Sequence, residues 1–398
     1  IDSALFTCVV VNGAVRCWGP NNQGQLGDES LTARYSPVTV AVRDPATIPA
    51  GVPLPRLAST IATGHEHTCV IAASGGVSCW GRNDLGQLGD GSVGGYRPTP
   101  APVVGLSGPA VAISAGSFGN FTCVLLASGV VQCWGWGAVG QLGNGSDQSS
   151  ARPVTVTASY TGTVAQIEVG LGSSCLRTMQ GGVWCWGQGS SGEIGNGNYS
   201  AQPVPVSVSG LSSGVTDISL TYATVCALTS AGSVKCWGAG PDGQVGNGGA
   251  DSPARPADVA GMGSGVTAIS AGLSHACAVT TWGGVRCWGQ NTNGELGTGQ
   301  TGSNQYVPVT ASSIPAAGLL RLQTGYETTC GDYVGGELKC LGRNVSGVLG
   351  VGNDAGPVLT LASPQGISVG VTSFDSALFT CAVVNGAVRT KCAQRTSR

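Results

Sequence analysis

Sixteen cysteines are the residues of this 398-residue chain with the most evident covalent chemistry, and they fall in pairs. Cys8 and Cys17 lie nine apart, while Cys69 and Cys79, Cys123 and Cys133, Cys175 and Cys185, Cys226 and Cys236, Cys277 and Cys287, and Cys330 and Cys340 lie ten apart. If Cys69 faces Cys79 across an antiparallel hairpin, Ala72 faces Gly76 and Ala73-Ser74-Gly75 forms the loop. A three-residue hairpin loop needs a left-handed residue at its third position, and Gly75, Gly129, Gly181, Gly232, Gly283 and Gly336 stand there without exception. In the first pair the loop shortens to Asn12-Gly13, the favoured type I′ turn. Facing residues on such strands lie about 4.5–5.5 Å apart at Cα, within reach of a disulfide. Seven local disulfides are therefore expected, each worth on the order of 2–3 kcal/mol by loop-closure entropy.

Other uses of these cysteines fit less well. Zinc would need clustered CxxC or histidine partners, and the chain has only His65, His67 and His275. Redox catalysis would need a CxxC pair. Structural disulfides imply an oxidising, extracellular location. The last two cysteines break the rule: with Asn385-Gly386 as the turn, Thr390 rather than Cys392 stands opposite Cys381. The pair Cys381 and Cys392 is thus uncertain, either cysteine being open to another partner.

The elements that must hold these pairs recur. The second cysteine of each phrase falls at Cys17, Cys79, Cys133, Cys185, Cys236, Cys287, Cys340 and Cys392, a period near 52 residues. That period suits a four-stranded propeller blade and is too long for helical hairpins. The one long interval contains the Pro-rich insertion from Arg43 to Pro55, read as a surface loop. In the second copy, Leu57 to Thr63 leads in, Thr68 to Ala72 and Gly76 to Trp80 form the hairpin, and Pro102 to Val104 supplies a fourth strand. Trp18, Trp80, Trp134, Trp186, Trp237 and Trp288 each follow the second cysteine, so sulfur and indole point to opposite faces of a blade and into two different inter-blade cores. Leu341 takes that place in the seventh copy, which an apolar packing role tolerates.

The phrase Cys79-Trp-Gly-Arg-Asn-Asp-Leu-Gly-Gln-Leu-Gly-Asp-Gly-Ser92, led in by Gly64-His-Glu-His-Thr-Cys69, resembles the regulator-of-chromosome-condensation repeat over nearly the whole chain. The resemblance implies an all-β, seven-bladed β-propeller over residues 1–373, with one cross-strand disulfide per blade. It leaves function open, because this scaffold carries unrelated tasks. The family includes a nuclear exchange factor for a small GTPase, and seven disulfides speak against that compartment. It also includes a plant UV-B photoreceptor, whose Gly-Trp-Arg-His-Thr motifs are absent here. A secreted bacterial inhibitor of β-lactamases is closer in character, but none of its contact residues can be carried over.

Catalytic motifs do not hold up. Gly-x-Gly-x-x-Gly occurs five times, from Gly89, Gly135, Gly187, Gly238 and Gly297, as repeated loop glycines rather than one dinucleotide fingerprint. Gly210-Leu-Ser-Ser-Gly214 matches a nucleophile elbow by letter, with no helix to follow. His67 and His275 share a repeat position with Phe6, Phe121 and Thr224, which suits packing or hydrogen bonding. Asp28, Asp90 and Asn144 fall short of a calcium loop, and Asn120, Asn144, Asn198 and Asn344 open glycosylation sequons. No catalytic residue, cofactor or metal is expected, and an enzyme is disfavoured. Tyr35, Tyr96, Tyr199 and Tyr306 fall in the polar connectors before Pro37, Pro98, Pro203 and Pro308, where they could form a ring on one propeller face for a protein or sugar partner. Packing of each tyrosine on its proline is the competing reading.

Composition bounds the partners. With 10% charged residues and a net charge of −2, the chain has no basic field for nucleic acid. Its 67 glycines disfavour long helices, no apolar run is long enough to span a bilayer, and residue 1 already lies in the repeat with no signal peptide visible. Residues 374–389 match residues 1–16 at 14 of 16 positions, so residues 374–398 form a partial eighth repeat with a basic tail. That hairpin could complete an incomplete eighth blade, be donated to a neighbouring molecule, or reflect a sequence overlap. Two functions follow as expectations: an extracellular structural propeller whose partner is itself through end-to-end assembly, or a secreted module that binds a protein or glycan.

Overall fold

The computed structural model describes residues 7–40 and 58–363, with short interruptions at 12–13, 20, 73, 117–118, 335–336, 345–348, 350 and 352–355. The described strands form seven antiparallel sheets, six of four strands and one of three, and no helix occurs among the described residues. Each sheet is one blade, its strands adjacent in the order of the chain. Blade 4 shows the plan: Val164–Val169, Ser173–Thr178, Val183–Gly187 and Gln202–Ser207. The chain is a seven-bladed β-propeller. Residues 374–398, with Cys381 and Cys392, lie outside the described residues, as do the insertion from Arg43 to Pro55, the Asn12-Gly13 turn and Gly336.

The expected cysteine register holds. Cys69–Cys79, Cys123–Cys133, Cys175–Cys185, Cys226–Cys236 and Cys277–Cys287 are disulfides between directly opposed residues with Cα atoms 4.1 Å apart. Cys8 and Cys17 stand opposite each other, and Cys17 is disulfide-bonded. The turn glycines Gly75, Gly129, Gly181, Gly232 and Gly283 have φ between 75° and 85°, the left-handed conformation that the loop length demands. Cys330 and Cys340 are directly opposed and fully buried, in the same register as the other pairs.

Each inter-blade core combines the two expected faces. The Cys226/Cys236 face of blade 5 packs with Trp288 of blade 6, and Cys175/Cys185 of blade 4 with Trp237 of blade 5. The cystines of blades 2 and 3 meet Trp134 and Trp186, and Cys277/Cys287 meets Leu341 of blade 7. Toward the axis, successive first strands are stitched through serine hydroxyls. Ser114, Ser219 and Ser270 accept the amide N–H of Val169, Ala271 and Thr324 in the following blade at 2.9–3.1 Å.

The fourth strand differs from expectation. In blade 2 it is Tyr96–Pro102 rather than Pro102 to Val104, pairing Tyr96 with Arg82 and, beyond a register shift, Pro102 with Ser78. Its prolines are tolerated because it is the outermost strand, where one row of N–H groups has no ladder to join.

Two outcomes follow. Peptide mapping of non-reduced protein should recover six i,i+10 links, including Cys330–Cys340, whose facing register is the same as that of the five bonded pairs; linkage of either cysteine to a distant one would contradict it. Trp237 is fully buried and its indole N–H donates to the Glu193 carbonyl of blade 4, so Trp237→Phe, which keeps an aromatic ring but loses that donor and part of the buried volume, should lower unfolding free energy by about 1–3 kcal/mol in urea titrations.

Candidate functional site

Among the described residues the most elaborate polar construction of a blade is the loop between the third and outer strands, carrying Gly-x-Leu-Gly or, in blades 4 and 5, Gly-Glu-Ile-Gly and Gly-Gln-Val-Gly. In blade 2 the buried Asn83 holds it: its Oδ1 accepts Leu88 N–H at 3.1 Å, and its Nδ2 donates to the Ser92 carbonyl at 3.1 Å. Asn21 and Asn291 do the same in blades 1 and 6, and Asn344 accepts Leu349 N–H in blade 7. These asparagines were missed as organisers, although the recurrent Gly-x-Asn after the third strand is legible in the sequence.

The loop reaches the next blade through its backbone. The indole N–H of Trp80, Trp134, Trp186, Trp237 and Trp288 donates to the carbonyl of Gln25, Gln87, Gln141, Glu193 and Gln244 respectively, at 2.7–3.0 Å. Leu341 has no such donor, and there the Thr329 hydroxyl donates to the Glu295 carbonyl at 2.7 Å. In blades 1 to 5 the glycine ending the phrase makes room for the ring: a Cβ on Gly195, at φ 74°, would lie 2.6 Å from Trp237 Nε1. The Gln side chain folds back so that its Oε1 accepts the N–H two residues earlier, as from Val139 to Gln141 and from Asp242 to Gln244.

Two blades carry an acid in that buried slot. Glu193 and Glu295 accept the same backbone N–H, from Ser191 and Asn293. Burial pushes their carboxyls up to about 6 and about 7, and at Glu295 nearby Glu327 and Asp242 add to it. Oε1 of Glu295 is buried with no hydrogen-bond partner among the described residues.

The individually named residues find structural roles. His67 and His275 are fully buried, and each Nε2 meets a threonine hydroxyl of the next blade, Thr122 at 2.8 Å and Thr329 at 2.9 Å. Burial pulls both imidazoles down to about 3. Asp28, Asp90 and Asn144 accept the N–H two residues on, from Ser30, Ser92 and Ser146, and so close turns. Among the described residues no group of three His, Cys, Asp or Glu could hold a metal. Gly210 to Gly214 connects the outer strand of blade 4 to the first strand of blade 5. Asn198 is exposed, whereas Asn344 is buried in its loop.

The structure does not bring the tyrosines to equivalent connectors. Tyr35, Tyr96 and Tyr306 lie on outer strands, and Tyr199 lies in the loop before one. Tyr96 begins its strand, whereas Tyr306 lies against Gly243 of the preceding blade, the place that Pro98 takes against Gly24. Tyr96, Tyr199 and Tyr306 are 47%, 57% and 37% exposed, and the Tyr199 hydroxyl donates to the Ser252 carbonyl of the next blade at 2.9 Å. Three of the four stand on strands rather than in connectors because the outer strands begin earlier than a loop reading of their prolines implies.

Family models of the regulator of chromosome condensation (RCC1) repeat match residues 58–87, 74–125, 128–176, 180–228, 215–244 and 266–295, together more than half of the chain. The chain belongs to the RCC1-repeat family. It is 33% identical over 250 residues to the human E3 ubiquitin-protein ligase HERC2, which covers 61% of this chain but only 5% of HERC2's own length. It is 28% identical over 356 residues to the ultraviolet-B receptor UVR8 of Arabidopsis thaliana, covering 88% of this chain and 77% of the receptor. The crystal structure of Prp20p from Saccharomyces cerevisiae, described with its binding to Gsp1p and histones, superposes with a TM-score of 0.74 at 20% identity, over 91% of this chain and 87% of Prp20p. That likeness is one of fold.

The buried acids generate a pH test. A carboxyl whose pKa is raised on folding stabilises the fold fully below its unfolded value near 4.5, and that contribution is lost as pH rises through about 7. Glu295→Gln supplies the neutral side chain used in blades 1, 2, 3 and 5. Denaturation at pH 5 and pH 8 should show the unsubstituted protein losing on the order of 2–3 kcal/mol more than the variant across that interval.

Proposed function

We propose that this RCC1-repeat propeller is an extracellular, non-catalytic interaction protein that links to copies of itself through its redundant terminal hairpin. The observation that carries the reading is the duplication of residues 1–16 by residues 374–389 at 14 of 16 positions. Thr7–Val11 and Ala14–Gly19 already pair in blade 1, so one molecule carries two near-identical copies of that hairpin's sequence for one seat. Strand donation joins subunits without a new binding surface, and a head-to-tail contact that does not close propagates into a filament. The net charge of −2 opposes such packing little. Buried cystines in five blades support an oxidising compartment.

The second reading, a secreted module for a protein or glycan, is favoured by the exposed rim tyrosines. Prp20p, a relative in fold, is described as binding proteins. The ligase activity in HERC2's name belongs to a protein of which this chain matches a twentieth, and it is not carried over.

Light scattering and electron microscopy of the full chain and of a variant lacking residues 374–398 separate the two readings. Under self-linkage the full chain forms concentration-dependent oligomers or fibres and the shortened one stays monomeric. The same assembly state for both rejects it.

A further inference from the structure

Blades 2 and 4 each carry a small groove bounded by the turn between second and third strands, the end of the outer strand and the linker to the next blade. The residue just before the second cysteine is Ser78, Gln132, Trp184, Lys235, Arg286 and Lys339 in blades 2 to 7, and of these Trp184 lines the groove of its blade whereas Ser78 does not. In most blades this side chain is already engaged. Gln132 Oε1 accepts the Ser107 N–H at 2.9 Å, tying the linker down over blade 3. Lys235 pairs with Asp258 at 2.5 Å, and Lys339 with Glu337 at 2.7 Å. The Arg286 guanidinium lies 5.8 Å from the Trp282 ring centre.

Blade 4 is built differently. Trp184 packs in part against the core between blades 3 and 4, which includes Val164 and Leu176, and remains half-buried. It also lines a cavity of about 210 Å³ together with Thr161, Thr178, Gln180, Ser207 and Ser212. The Thr178 hydroxyl is occupied by Gly182. The side chains of Thr161, Gln180, Ser207 and Ser212, and the Trp184 indole N–H, make no hydrogen bond among the described residues. No lining residue is ionisable. The comparable groove of blade 2 has no aromatic floor and is walled by Pro102, Val103, Leu106 and Pro109.

An indole beside unengaged hydroxyls and an amide, with no charge, matches the two-sided chemistry of a sugar. The C–H face of a pyranose covers an aromatic ring, while its hydroxyls need groups that both donate and accept, as Ser, Thr and Gln do. The volume lies below the roughly 300–1,000 Å³ of sites for drug-sized ligands, which limits the occupant to about one ring. We infer that the blade 4 groove is a subsite for one pyranose unit of a neutral glycan, with Trp184 as its stacking floor and Gln180, Ser207 and Ser212 as its hydrogen-bonding rim. This deepens the second reading above and is independent of self-linkage, because the site lies within blade 4 and uses no residue of the terminal hairpin.

Saturation-transfer NMR on the full chain, with methyl α-glucoside, methyl α-mannoside, methyl β-galactoside and N-acetylglucosamine as probes, tests it. At least one should show saturable contact with a millimolar Kd. Trp184→Ala should weaken that contact by about tenfold or more, and Trp184→Phe, which retains a stacking face, by less. Gln180→Ala, on the exposed turn, should weaken it without touching the core, which keeps the test valid if Trp184→Ala unfolds. Absence of contact with all four probes, or contact unchanged in Trp184→Ala and Gln180→Ala, overturns the inference. Either result leaves the assembly experiment unaffected.

Discussion

Much of the ring depends on one hydrogen bond, from the indole N–H of a blade to a backbone carbonyl in the preceding blade's Gly-x-Leu-Gly loop. A buried indole needs a partner for its N–H, and a loop carbonyl turned inward needs a donor. Satisfying each with the other fixes the angle at which two blades meet. The surrounding residues follow from that contact. A glycine ends the phrase because the ring occupies the space of a Cβ, the leucine before it is buried beside the ring, and an asparagine or a backbone contact holds the loop in shape. The cystine of the earlier blade then faces the flat side of the core that the indole completes.

The joint between blades 6 and 7 shows which parts of this scheme are essential. Leu341 keeps the apolar contact but supplies no donor, and the Thr329 hydroxyl assumes that role. The carbonyl is satisfied in every described joint, whereas the donor is exchangeable. The same joint gathers other departures: Glu295 in a slot otherwise mostly Gln, and Glu327 with φ 54°, whose carboxylate accepts Gln290 and Asn293 amides across the joint at 3.1 and 3.2 Å. A non-glycine residue held in the left-handed region costs of order 1 kcal/mol or more, which cross-blade hydrogen bonds can offset.

The hairpins, their turns and their cysteine register were legible because three signals coincide at each: spacing, a glycine at the left-handed position, and side-chain alternation. The outer strands were legible only in part, because Pro98 and Pro100 read as loop, and only the edge position makes them compatible with a sheet. The tyrosines were misplaced for the same reason. Trp184 is inconspicuous in the sequence because it lies one residue before a cysteine and two before the repeated Trp186. Its different environment comes from the linker and the outer strand, distant in sequence from it. The indole-to-carbonyl bonds were likewise hidden, since the pattern shows that a tryptophan recurs but not which backbone atom 44 to 55 residues away receives its proton.

The prolines of the outer strands have a further effect on how such molecules behave when crowded. A sheet edge with free N–H and C=O groups invites another sheet to extend it, and seven blades would present seven such invitations around one disc. Proline removes the donor, and its ring obstructs an approaching strand. Pro98, Pro153, Pro203 and Pro308 place that block on the outer strands of blades 2, 3, 4 and 6. The circumference is thereby made a poor template for lateral fusion, and a population of these discs can be packed densely while each keeps its own sheets to itself.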